Sequence, residues 1–130
     1  MTYLSVIIAA GVAYAFGAVW YMALAKPWMA AAGVEAGENG RPEGSGGKAY
    51  VIAFVCVILV AGMMRHAFTQ AGIVNPAKGA LAGLGLGLFI ASPWIATNNA
   101  FEGKPFNLTL INGGYATIGC AIIGAILTAI

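Results

Sequence analysis

Four stretches of this chain, about 4–25, 49–72, 79–100 and 108–130, are apolar for long enough to decide its solvent. A hydrocarbon core about 30 Å thick needs roughly 20 helical residues at about 1.5 Å each, and each stretch meets that length. The first, third and fourth carry no charged side chain. The second holds sixteen uncharged residues, Ala49 to Met64, before Arg65 and His66 appear. A charged tip near a helix end can reach the headgroups, so this stretch also spans. Without water the backbone must satisfy its own hydrogen bonds, which leaves helices or a closed barrel. A barrel needs short strands of alternating polarity, and the sequence has none. The expected fold is all-α: an integral membrane bundle of four antiparallel transmembrane helices, forming a single membrane domain over 1–130.

Composition agrees. Apolar residues make up 61% of the 130, charged residues 8%, and the mean hydropathy is +0.88. A water-soluble surface of mixed charge cannot be assembled from that inventory. The formal charge of +2 includes no basic run, so nucleic acid is not an expected partner. The first stretch lacks a preceding basic region and is longer than the apolar run of a signal peptide, so it reads as a retained helix.

The connections are equally informative. Pro27 to Gly33 reads as a short interfacial helix, with Pro at its start and Gly at its end. The segment 35–47, with five glycines and three acids, reads as a water-exposed loop. Asn75-Pro76 signals a turn and a helix start. The tight 101–105 connection makes the last two helices antiparallel neighbours, and an even number of spans puts both termini on one side. Lys26, Arg41, Lys48 and Lys104 flank the first and third loops, against Arg65 and Lys78 at the middle one. That balance favours cytoplasmic first and third loops and external termini.

Helices in lipid gain little from apolar burial alone, so close backbone approach and polar contacts must hold them. Gly79, Gly83 and Gly87 recur every four residues on the third helix, Cys120, Gly124 and Thr128 on the fourth, and Ala9, Ala13 and Gly17 on the first. Such seams serve packing inside one bundle or packing against another subunit. Pro93 interrupts the third helix and frees the carbonyl of Phe89, which predicts a kink; Ser92 or a neighbouring helix is the candidate to satisfy that group.

Antiparallel threading gathers most of the polar and aromatic side chains at one membrane face. Trp20, Tyr21, Trp28 and Trp94 read there as interfacial anchors. Asn98, Asn99, Glu102, Lys104, Asn112 and Tyr115 form a candidate polar cluster. Asn112 lies roughly 6 to 9 Å into its helix, where an amide facing lipid loses hydrogen bonds, so it should face inward. A cluster of amides closed by the Glu102 to Pro105 turn is expected. It serves either as a structural lock that caps helix ends and holds the last two helices in register, or as a functional site within the membrane.

Two groups of residues carry a family resemblance. Phe16-Gly17-Ala18-Val19-Trp20-Tyr21 precedes Lys26-Pro27-Trp28-Met29, and Asn98-Asn99-Ala100-Phe101-Glu102-Gly103-Lys104-Pro105-Phe106 precedes Leu110-Ile111-Asn112-Gly113-Gly114-Tyr115. These resemble the two signatures of the domain-of-unknown-function 1761 family, small bacterial membrane proteins with four predicted helices. The resemblance covers nearly the whole chain. It implies the bacterial inner membrane and the four-helix count, and no activity.

Chemistry is sparse. Cys56 and Cys120 form no CxxC pair and read as packing residues. His66 alone cannot make a zinc site, although a haem or chlorin at the membrane edge could be ligated by it. Glu102 is the one acid outside the first loop and the chain has no aspartate, so paired-carboxylate and Ser-His-Asp catalysis lack their residues. The glycine-rich stretches lack the Lys-Ser or Lys-Thr of a phosphate loop. The expectation is a protein with no catalytic residues, no metal and no cofactor, whose partners are membrane lipids and other membrane-protein subunits or itself. Two functions fit: an accessory or structural subunit packing by small-residue seams, or a small oligomeric pore or carrier for a small solute.

Overall fold

The computed structural model describes residues 3–35, 37 and 47–130, so most of the loop expected over 35–47, Arg41 included, lies outside the described residues. The helices in order are α1 (Tyr3–Ala23), α2 (Ala25–Ala32), α3 (Gly47–Ala71), α4 (Pro76–Leu86), α5 (Ser92–Phe101) and α6 (Phe106–Ala129), with one π-helical turn, Gly87–Ala91, joining α4 to α5. No strand occurs among the described residues. Among the described residues four helices are long and apolar enough to cross a membrane: Tyr3–Ala23, Gly47–Ala71, Pro76–Phe101 and Phe106–Ala129. Their ends fall within three residues of the boundaries read from the sequence.

Local chemistry sets the boundaries. The Asn75 side chain accepts from the amides of Ala77 and Lys78 at 2.9 and 3.3 Å, and Pro76 follows in the first helical position, so α4 starts with a capped end. Gly72 stops α3 in the left-handed region at φ +72°, which lets the amide of Ile73 close back on the carbonyl of Phe68 at 3.0 Å. The short helix expected at Pro27 begins two residues earlier, at Ala25. One irregular residue, Leu24, separates it from α1, and Pro27 is tolerated because the first-turn amides have no helical partner.

Helix α6 is the hub. α1 lies on one side of it and α4 to α5 on another, while α3 packs mainly on α1. The buried core joins Val6, Ala9, Ala10 and Ala13 of α1 to Ala61, Met64 and Phe68 of α3 and to Ile123 and Leu127 of α6. Between α4 and α6 the main chains touch. A β-carbon on Gly83 would strike the carbonyl of Cys120, one on Gly79 the carbonyl of Gly124, and one on Gly124 the carbonyl of Gly79. A β-carbon on Gly87 would come 2.6 Å from the carbonyl oxygen of Ala116. Only hydrogen fits at these four positions, so the seam of Gly79, Gly83, Gly87 and Gly124 is used inside the chain. The contacts of Gly79 with Gly124, Gly83 with Cys120, Gly87 with Thr117 and Ser92 with Gly113 run in opposite order along the two helices.

Where the sequence predicts a kink in the third span, the structure has the π turn Gly87–Ala91. The amide of Ser92 donates to Gly87, five residues back, and Pro93 has no amide to give. Ser92 does not repair the main chain. Its hydroxyl donates to the carbonyl of Gly113 on α6 at 3.2 Å and lies 3.2 Å from the Thr117 hydroxyl.

Candidate functional site

The polar end of the bundle is built on α6. Asn112 sits six residues into that helix and is half-buried. Its Oδ1 accepts from the Tyr21 hydroxyl at 2.8 Å and from Trp28 Nε1 at 3.2 Å. An indole N–H only donates, so the contact with Trp28 fixes which end of the amide faces the aromatic pair. At the preceding residue, Trp20 Nε1 donates to the main-chain carbonyl of Ile111 at 2.9 Å. One α6 segment thus receives donors from the end of α1 and from α2, although some 90 residues of chain separate them.

The rings pack as tightly as the hydrogen bonds require. Tyr115 stacks on Phe16 with centroids 6.1 Å apart and meets Tyr21 edge-on at 5.4 Å, while Tyr21 meets Trp28 edge-on at 6.3 Å. Glycines make the seats. A β-carbon on Gly17 would lie 2.7 Å from the Tyr115 ring, and one on Gly114 would lie 2.8 Å from the Trp20 ring. Each large ring on one helix is accommodated by a missing side chain on the other.

Lys104 closes the second half of the site. Gly103 adopts φ +71°, which ends α5 and turns the chain so that the amide of Lys104 closes on the carbonyl of Asn99 at 2.9 Å. The Lys104 ammonium then donates to the carbonyl of Ala32 at 2.8 Å. That carbonyl is at the C-terminal end of α2, where a cation also meets the negative end of the helix dipole. Deeper in the same hairpin, Asn99 Nδ2 donates to the Thr109 hydroxyl at 3.0 Å, a buried contact that ties α5 to α6.

The amide cluster expected from the sequence is therefore divided. Asn112 and Tyr115 join the aromatic group of α1 and α2, Asn99 pairs with Thr109, Lys104 reaches α2, and Asn98 and Glu102 are exposed. Neighbouring residues on a helix point about 100° apart, so Asn98 and Asn99 cannot both face α6. Of the four aromatic residues read as interfacial anchors, Trp20, Tyr21 and Trp28 are half-buried with their polar atoms engaged on α6, and Trp94 is 66% exposed. Thr109, Thr117 and the carbonyl of Ala32 belong to the site and were not singled out in the sequence. No local signal marks Thr109, Thr117 or Ala32, because their partners Asn99, Ser92 and Lys104 meet them only through the packing of helices distant in the chain.

At the other end of the bundle the Arg65 guanidinium lies 4.5 Å from the centroid of the Tyr3 ring. His66 and Cys56 are exposed on α3, and Cys120 is half-buried, so Cys56 is not a packing residue within the chain. Among the described residues no three of His, Cys, Asp and Glu come together.

Helices of membrane-crossing length, joined by main-chain contact and locked at one end by indole, phenol and amide groups, define a small multi-pass membrane protein. The family model described as "Protein of unknown function (DUF1761)" matches residues 4–128, nearly the whole chain, and the chain belongs to that family. No curated protein and no solved structure matches it.

Proposed function

We propose that this is a non-catalytic protein of the bacterial inner membrane, an accessory or structural subunit that packs within a larger membrane complex or with itself. The observation that carries the reading is where the polar side chains of the motif end are spent. Asn112, Trp20, Tyr21, Trp28, Asn99 and Lys104 all bond to other parts of the same chain and hold α1, α2 and α5 against α6. Groups committed in this way build a rigid scaffold, and a catalytic constellation needs groups free to meet a substrate. The outward faces supply what such a scaffold offers: Val51, Ile52, Val55, Leu59 and Met63 of α3 are all exposed and apolar, suited to lipid or to a neighbouring subunit.

The test is purification of the untagged chain from membranes in mild detergent. Co-migration with another membrane protein or as an oligomer supports the subunit reading; a stable monomer that retains nothing overturns it. A small pore or carrier draws its support from the π turn before Pro93, but Asn99 and Asn112, the inward amides that motivated it, are engaged within the chain. Solute flux through liposomes that disappears on Asn112→Leu would favour the pore over the subunit.

A further inference from the structure

The charged residues are divided between the two ends of the bundle in a way that leaves its orientation nearly undetermined. Lys26 stands at the start of α2, Lys48 at the start of α3 and Lys104 in the turn after α5, all at the end that holds Asn112, and Arg41 belongs to the segment joining α2 to α3. Arg65, in the last two turns of α3, and Lys78, in the first turn of α4, lie at the opposite end. All four acids, Glu35, Glu38, Glu43 and Glu102, share the Asn112 end, and the Arg65 end has no acidic side chain. Counted by Lys and Arg alone, the Asn112 end is ahead by two and should face the cytoplasm. Counted as formal side-chain charge, that end is neutral and the Arg65 end carries +2, which an inside-negative potential draws the other way. Each acid weighs less than a Lys or Arg. Four on one side against none nevertheless oppose an excess of only two, and Arg41 stands between Glu38 and Glu43.

The fold accepts either sense. The contacts that hold the helices are internal: the glycine seam between α4 and α6, the Tyr21 and Trp28 donors on Asn112, and the Lys104 ammonium on the carbonyl of Ala32. None of them borrows a group from an aqueous compartment, so a molecule threaded the opposite way closes into the same bundle. Trp and Tyr serve at both membrane interfaces, so Trp20, Tyr21 and Trp28 do not select a side.

We propose that the chain inserts in both orientations, so that one membrane holds two populations and each copy can meet an inverted one. The proposal goes beyond the subunit reading and requires only the four crossings. In any one molecule both termini stay on one side, and across the two populations both report the same mixture of compartments. At about fivefold per charge near a membrane surface, a Lys and Arg excess of two acting alone would leave the minor orientation at about 3%. The four acids act against that excess and raise the minor orientation above this level.

The experiment uses the full chain with Cys56→Ser and Cys120→Ala and a single new cysteine, either Val74→Cys in the turn between α3 and α4 or Asn107→Cys at the start of α6, both exposed positions. A membrane-impermeant maleimide is applied to intact cells and to inverted membrane vesicles. Each position should label in both preparations, with more than about 3% from its minor side. The fraction of Val74→Cys labelled in cells should equal the fraction of Asn107→Cys labelled in inverted vesicles, because both count the same population. Lys26→Gln cuts the excess to one and should shift the ratio about fivefold toward an external Asn107 end, while Lys78→Gln raises it to three and should shift it about fivefold the other way. Both lysines are exposed and belong to none of the internal contacts, so the fold is kept. A minor fraction at or below about 3% overturns the proposal. Two-sided labelling that neither substitution moves overturns it as well, since that pattern reports leakage and not orientation. Val74→Cys and Asn107→Cys labelled wholly from one and the same side would overturn it by removing the crossing between them. The subunit reading fails separately, if the chain purified in mild detergent is a monomer that retains nothing, and that result leaves the two orientations standing.

Discussion

Replacing Asn112 by leucine removes one acceptor that serves two donors. The Tyr21 hydroxyl at 2.8 Å and Trp28 Nε1 at 3.2 Å both converge on Asn112 Oδ1, and leucine keeps the branching at Cγ, although it is bulkier, while removing the acceptor. A fully buried donor left unsatisfied costs about 1–3 kcal/mol, whereas interhelical hydrogen bonds in membrane proteins average about 0.6 kcal/mol each. Tyr21, Trp28 and Asn112 are all half-buried, which places the pair near the lower figure. The expected loss is about 1–2 kcal/mol. Reversible unfolding in mixed detergent micelles, followed by tryptophan fluorescence, measures it. The Trp20 bond to the Ile111 main chain survives the substitution, so the fluorescence change should come from Trp28. A double-mutant cycle with Tyr21→Phe isolates the shared bond and should return a coupling of about 0.6 kcal/mol, and no more than about 1.7. If Asn112→Leu unfolds at the wild-type midpoint, or if the two substitutions are additive, the lock is not the device described above.

Three further outcomes follow from particular contacts. Gly83→Ala forces a β-carbon into the carbonyl of Cys120 and should destabilise by at least about 1–3 kcal/mol, whereas Gly85→Ala, with nothing within 4 Å, should stabilise by up to about 1 kcal/mol through helix propensity; the same unfolding assay compares them. Lys104→Met removes the donor to Ala32 at 2.8 Å and should loosen α2 by about 0.5–1 kcal/mol, seen as roughly threefold faster amide exchange over Trp28 to Ala32 with exchange in α6 unchanged. Asn75→Ala removes the cap that accepts from Ala77 and Lys78 and should cost about 1 kcal/mol, recovered in Asn75→Asp; equal stability in the alanine and aspartate variants would contradict the capping role.

What the sequence discloses and what it hides follow from the solvent. Span number and span ends are legible because an uncharged run of helix length has one explanation, and because Asn75-Pro76, Gly72 and Gly103 mark ends by their own chemistry. The glycine seam is legible for a related reason: Gly79, Gly83 and Gly87 repeat at the helical period, and a missing β-carbon has no use on a lipid-facing surface. Facing direction is not legible. In a soluble helix the polar side declares the exposed face, but in α1 the inward residues Ala9, Ala13 and Gly17 and the outward residues Ile7, Ile8 and Val12 are all apolar. The side to which Trp20 and Tyr21 turn is decided by where α6 offers Gly114, Asn112 and the Ile111 carbonyl, which are long-range facts. The adjacent pair Asn98 and Asn99 shows the same gap at the scale of one residue: composition marks both as polar, and only the register of α5 on α6 selects Asn99 for Thr109.

The fold and the site both require all four apolar helices to cross the bilayer. The direct measurement is compartment-specific labelling of reporters fused at Met1 and at Ile130 in intact cells and in inverted membrane vesicles. Four crossings predict that both termini report the same compartment. Termini on opposite sides, or a chain recovered from the aqueous fraction without detergent, would contradict the account at its base.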